Sequence, residues 1–242
     1  MSWKDIAKSV YNQVIVRPVT YYRDNYGDCG YNDLIYQHLF LRELKGYGVE
    51  DVFAPVGGAA SYSLLYHILR SLACLKSAQV LEFGAGQSSL LLSACKGKVF
   101  EGDILTIEQD GRWAEAISSR VFHHVYHAPI YTTRFGSSAT VKYGELKSCI
   151  GEQKFNLVIV DGPTGSKKFS RSNILDYVKN LSRDRFIIIF DDTNRYGEKQ
   201  TLGVLSKALR GEFGSITEYT IRGSTHQSII MHGVDLHQIY LP

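Results

Sequence analysis

The stretch Val80-Leu81-Glu82-Phe83-Gly84-Ala85-Gly86-Gln87-Ser88-Ser89 constrains the fold more than any other part of the chain. An apolar run meets an acid, breaks into two glycines and passes at once into a helical pattern, so it reads as a strand, a ligand loop and a helix. Gly84 and Gly86 suit a tight turn that brings backbone close to a ligand, and the helix starting near Ser88 presents unpaired N–H groups. A dinucleotide fingerprint needs a third glycine where this chain has Ser89.

The same arrangement recurs downstream. Asp103 to Glu108 reads as a second strand ending on an acid, about twenty residues beyond the glycine loop, the distance at which a carboxylate accepts ribose hydroxyls. Capping of a helix around Trp113 to Ile117 is the other role open to Glu108. Phe122 to Ile130 reads as a third strand stopped by Pro129, and 131–151 as a polar, glycine-punctuated segment with a helix around 143–150. Phe155 to Asp161 and Phe186 to Phe190 are nearly continuous apolar strands, as expected when helices cover both faces of a sheet. One ends in Asp161-Gly162-Pro163 and the other in Asp191-Asp192, with a short amphipathic helix over 173–181 between them. Carboxylates at the ends of four of five strands line up with the ligand crevice of an open parallel sheet rather than with core packing. Helices over 61–72 and 201–209, and an antiparallel hairpin from 215–221 and 227–231, complete the pattern.

The chain of 242 residues is long enough for one Rossmann-like α/β domain, taken as 61–242, preceded by a cap segment over 1–60. That cap is rich in tyrosine, with a helix expected over 32–45; Tyr26 and Tyr31 are either packing residues or face a substrate. The expected fold is a mostly parallel, seven-stranded sheet with helices on both faces, a C-terminal antiparallel hairpin and an N-terminal helical cap. A net charge of +3 and a charged fraction of 21% give no stripe for nucleic acid. Four scattered cysteines lack metal or redox spacing, no apolar run approaches the roughly 20 residues of a membrane span, and the first residues do not read as a signal peptide. A soluble, cytoplasmic protein is therefore expected, with self-association left open. His67 reads as a satisfied packing histidine. Among His123, His124 and His127 the first two point to opposite faces of a strand, so strand packing is favoured over zinc.

From about Ser61 to His232 the chain resembles the class I methyltransferases that use S-adenosylmethionine (SAM). The likeness rests on Glu82-x-Gly84-x-Gly86, His127-Ala128-Pro129 after strand three, Asp161-Gly162-Pro163 after strand four and Asp191-Asp192-x-x-Arg195 after strand five. It implies that Glu82, Gly84 and Gly86 hold the methionine and ribose end of SAM, with Ser88 in the same cofactor set. It also implies Glu108 on the ribose hydroxyls, and Ala128 and Pro129 near the adenine. In the catechol O-methyltransferase-like branch, acids after strands four and five bind a divalent metal; Asp161, Asp191 and Asp192 stand at those places. That branch commonly has asparagine at the third, where this chain has Asp192. Oxygen ligands favour magnesium or calcium over zinc.

The implied reaction is O-methylation of a hydroxylated small molecule or saccharide, with Mg2+ assistance. Asp161, Asp191 and His127 are the candidate catalytic groups, and His226 is a further histidine that serves only if the fold brings it close. Lys167, Lys168 and Arg171 suit an acidic saccharide or form a solvated loop, and Arg195 pairs with Glu198 or meets substrate. Two other classes stay open: a nucleotide-binding oxidoreductase, and a catalytically silent module of a polysaccharide-building assembly.

Overall fold

In the computed structural model, residues 29–50, 53 and 59–240 are described. In chain order they form α1 (Cys29–Gly46), α2 (Tyr62–Leu75), β1 (Val80–Phe83), α3 (Gln87–Cys95), β2 (Ile104–Glu108), α4 (Gly111–Ser118), β3 (His124–His127), β4 (Ile130–Phe135) and β5 (Ser138–Tyr143). There follow α5 (Lys147–Ile150), β6 (Leu157–Val160), a 3-10 helix (Ser172–Asn180), β7 (Phe186–Phe190), α6 (Tyr196–Phe213), β8 (Thr217–Arg222), β9 (His226–His232) and α7 (Leu236–Tyr240). The cap tyrosines at 11, 21, 22 and 26 and the glycines at 57 and 58 lie outside the described residues.

The main sheet has seven strands in the order β3-β2-β1-β6-β7-β9-β8. Strands β3, β2, β1, β6 and β7 run parallel, and β9 is antiparallel to both β7 and β8. The architecture is thus Rossmann-like with a C-terminal antiparallel hairpin, as expected. Strand β9 inserts between β7 and β8, which leaves β8 at the edge.

Alternation along the strands splits the core into two layers. Val80, Leu157, Ile159, Ile187, Ile189 and Ile229 face α2 and α3, whereas Leu81, Phe83, Val158, Val160, Ile188 and Ile230 face the 3-10 helix and α6. Both faces are covered, so the central strands read as unbroken apolar runs. Helix α2 starts where Ser61 Oγ accepts the Leu64 N–H, and α1 joins the same core layer through Phe40 and Leu44. His67 is fully buried, with Nδ1 2.6 Å from the Ser63 carbonyl and Nε2 2.8 Å from the Tyr240 hydroxyl. Burial lowers its pKa to about 4, so it packs as a neutral ring.

The segment 131–151 departs from expectation. Ile130–Phe135 and Ser138–Tyr143 form a separate antiparallel hairpin turning at Gly136 and Ser137, and the helix behind it shrinks to one turn, Lys147–Ile150. Its first strand is largely solvent-facing and lacks the apolar alternation that reveals a half-buried strand, whereas the second carries one at Ala139, Val141 and Tyr143. Among the described residues no helix is long and apolar enough to cross a membrane.

Candidate active site

Parallel strands deliver their carboxyl ends to one edge of the sheet, and here β1, β2, β6 and β7 deliver theirs into a single cleft of about 420 Å³. Its walls include Gly84, Ala85, Glu108, Asp161, Asp191 and Asp192, together with Tyr143, Arg171 and Arg195. Residues far apart along the chain thus share one site because the strands that end in them are neighbours in the sheet.

At one end lies the glycine loop. Gly84 has φ +95°, and a side chain there would press on the Asp161 carbonyl carbon and the Gly162 nitrogen, each 3.0 Å away. Gly162 is equally confined: a Cβ would meet the Tyr143 hydroxyl and lie 2.9 Å from Gly84 Cα. Gly162→Ala is therefore expected to force these two loops apart, lowering stability by about 1–3 kcal/mol in urea titrations and weakening ligand binding at the loop.

Glu82 lies wholly buried below this loop. Its Oε2 accepts hydrogen bonds from Ser89 Oγ at 2.6 Å and from Thr106 Oγ1 at 2.7 Å, the latter its in-register neighbour on β2. Its Oε1 has no hydrogen-bond partner. Burial raises the Glu82 pKa to about 7, against the lowering influence of the nearby Ser88, Ser89 and Thr106 hydroxyls. A buried carboxylate oxygen without a donor fits a ligand that brings one, such as the ammonium of SAM, directly or through one water. Gly86 adds open space above the loop, with nothing within 4 Å of where a side chain would begin.

Glu108 accepts the backbone N–H groups of Ala85, Gln109 and Asp110 at 2.9, 2.8 and 2.8 Å, tying the loop to the end of β2. The cap of α4 is Asp110, whose Oδ1 accepts from Arg112 and Trp113 N–H, so Glu108 does not have that role. Trp113 donates its indole N–H to the Ala85 carbonyl at 2.7 Å, and Gln109 pairs with Thr164 across the cleft mouth.

At the other end, Asp161, Asp191 and Asp192 each bring one carboxylate oxygen to within 4.8 Å of the others. Asp191 Oδ1 accepts from Gln227 Nε2 at 2.7 Å and Thr225 Oγ1 at 3.0 Å. Asp192 Oδ2 is bound by Arg171 at 2.5 Å and by Arg195 at 2.8 Å. Asp161 meets Arg171 at 3.2 Å and has the most exposed side chain of the three, at 28%. Burial, then Asp191, pushes the Asp161 pKa well above the usual carboxylate range; burial, then Asp192, raises that of Asp191. This all-oxygen set fits a hard cation held chiefly by Asp161 and Asp191, since Asp192 already carries two guanidinium contacts.

Three expectations change. His127 is not beside the carboxylates: β3 is the sheet's outer strand, three strand spacings or roughly 14 Å from β6, and its ring packs on Gly111 and the Gln109 carbonyl. Arg195 pairs with Asp192 rather than Glu198, which is buried on α6. Arg171 is neither part of a solvated loop nor free to read a saccharide, being 4% exposed within the carboxylate cluster, whereas Lys167 and Lys168 are exposed. Ala128 donates its N–H to the Glu108 carbonyl, and neither it nor Pro129 is among the residues lining the cleft.

No family model matches the sequence, and no curated protein matches it. Among solved structures, the chain is similar to the O-methyltransferase TomG from Streptomyces achromogenes in complex with SAM, at 17% identity over 84% of this chain and 95% of that one, with a TM-score of 0.49. It is also similar to the O-methyltransferase from Bacillus cereus in complex with SAH, at 16% identity over 81% and 89% of the two chains, with a TM-score of 0.44.

Proposed function

We propose that the protein is a SAM-dependent O-methyltransferase acting on a hydroxyl of a small molecule or saccharide. One observation carries the reading: the glycine loop, at Gly84 and Ala85, and the cluster of Asp161, Asp191 and Asp192 open into the same cleft, with the unpartnered Glu82 Oε1 buried beneath the loop. SAM seated on the loop, with Glu82 below and Glu108 and Ser88 alongside, would aim its sulfonium at the aspartates. When bound, SAM would supply the methyl group to the acceptor oxygen and leave as a neutral thioether, and the hydroxyl proton would pass to a carboxylate. Without a metal, Asp161 suits that role, because burial has made it a stronger base than an ordinary aspartate. A bound Mg2+, held by Asp161 and Asp191 with Asp192 behind them, would acidify the hydroxyl and fix its position.

The sequence resemblance supports this reading, and Ser89 weighs against a dinucleotide enzyme. Its hydroxyl is used up between Glu82 Oε2 and the Gly86 N–H at 3.0 Å, filling the place a third glycine would leave open. Calorimetry with SAM, followed by transfer of labelled methyl to a panel of hydroxylated acceptors, tests the proposal. Absence of SAM binding sinks it. Chelation of divalent cations is expected to lower turnover while leaving SAM affinity unchanged; equal turnover with and without chelator removes the metal from the scheme.

A further inference from the structure

We infer that Arg171 is the positioning residue of this site, a buried guanidinium that holds the ends of β6 and β7 together and orients the aspartates toward the acceptor; the inference rests on the methyltransferase reading. Strands β6 and β7 are paired up to Val160 and Phe190, and their chains then leave the sheet carrying the acids. Arg171 reaches into that fork. Its Nη1 donates to the carbonyls of Val160 at 3.3 Å and Asp191 at 3.0 Å, while Nη2 donates to Asp192 Oδ2 at 2.5 Å and lies 3.2 Å from Asp161 Oδ1. One planar group thus contacts two backbone carbonyls and two carboxylates on both strands.

The backbone that presents it is itself fixed. Arg171 adopts a left-handed conformation, φ +58°, just ahead of the 3-10 helix. Ser170 donates its N–H to the Gly197 carbonyl, and its own carbonyl accepts from Thr201 Oγ1 at 2.6 Å on α6. The Phe169 carbonyl accepts from Thr140 Oγ1 at 2.8 Å on the β4–β5 hairpin, where Phe135 also packs on Phe169. Hairpin and α6 therefore hold the residues that aim Arg171. Three buried or half-buried carboxylates without this cation would repel one another and lose their common orientation. A lysine could supply the charge, but its ammonium lacks the fork needed to reach carbonyls and carboxylates together.

The test compares wild type, Arg171→Lys and Arg171→Ala for SAM affinity, kcat and melting temperature, with and without low millimolar guanidinium. Arg171→Lys is expected to fold, to bind SAM as wild type does and to lose roughly a hundredfold in kcat, the cost of an ångström-scale misplacement. Guanidinium, and not sodium at equal ionic strength, should restore at least tenfold of the Arg171→Ala loss and raise that variant's melting temperature. Wild-type kcat in Arg171→Lys overturns the inference, as does a loss of SAM affinity in step with kcat, which marks a purely structural support. If wild type transfers no methyl group to any acceptor, the methyltransferase reading fails, while the guanidinium-dependent melting of Arg171→Ala still reads the clamp: no selective shift overturns it. If Arg171→Ala does not fold, the kcat and SAM affinity of Arg171→Lys decide.

Discussion

Asp191→Asn is expected to lower kcat by about 10²–10⁴-fold, because it weakens the carboxylate set that would hold the metal and removes the charge that keeps Asp161 basic, while SAM affinity stays as in wild type. The substitution is nearly isosteric. Its remaining amide oxygen can still accept from Gln227 and Thr225, which hold Asp191 Oδ1, so the β9 contacts that shape this wall survive. What disappears is one negative charge beside the acceptor position. Asp161 should respond, since Asp191 is the leading charge raising its pKa after burial itself. Removing that charge lowers the Asp161 pKa, and the acid limb of the residual pH–rate profile moves to lower pH. Single-turnover assays and calorimetry measure the two halves of this prediction. A parallel loss of SAM binding would place Asp191 in the cofactor's site instead.

The carboxylates were legible because they follow strands buried on both faces. Leu157-Val158-Ile159-Val160 and Phe186-Ile187-Ile188-Ile189-Phe190 can only be central strands, and acids directly after such strands have to emerge at the sheet's carboxyl edge. Sheet order is a different matter. His127 looked eligible because it follows a strand in the same way, yet β3 lies at the outer edge of the sheet, and no local pattern encodes that placement. Arg171 failed to stand out for a related reason. Its neighbours Lys167 and Lys168 are exposed, so the local composition is that of a surface loop, while its partners Asp191 and Asp192 are contributed by the next strand. Gln227 and Thr225 reach Asp191 only because β9 pairs with β7. In the β4–β5 hairpin the alternation of Ala139, Val141 and Tyr143 belongs to β5 alone, and β4 has no hydrophobic period to pair with it across Gly136-Ser137.

Glu82→Gln is expected to weaken SAM binding by about tenfold to a hundredfold, corresponding to about 1.5–3 kcal/mol for a hydrogen bond to a charged group. The same substitution should act in the opposite direction on the ligand-free fold. Burial raises the Glu82 pKa from 4.5 in the unfolded chain to about 7. Below pH 4.5 the carboxyl is protonated in both states and carries no penalty. Between those values the folded protein binds the extra proton, so stability falls as pH rises, by about 3 kcal/mol in total, and the full loss is present above pH 7. Urea titrations of ligand-free wild type should show this decline, and Glu82→Gln, which has no charge to bury, should not. A bound cation favours the ionised carboxylate, so SAM affinity should climb from pH 6 to pH 8 in wild type and stay flat in the variant. The unpartnered Oε1 is what joins the two effects: the oxygen that costs the empty protein stability is the one a cationic ligand satisfies. If affinity were flat with pH and indifferent to Glu82→Gln, the methionine end of SAM would have to be held by other groups, and the raised Glu82 would be a feature of the fold alone.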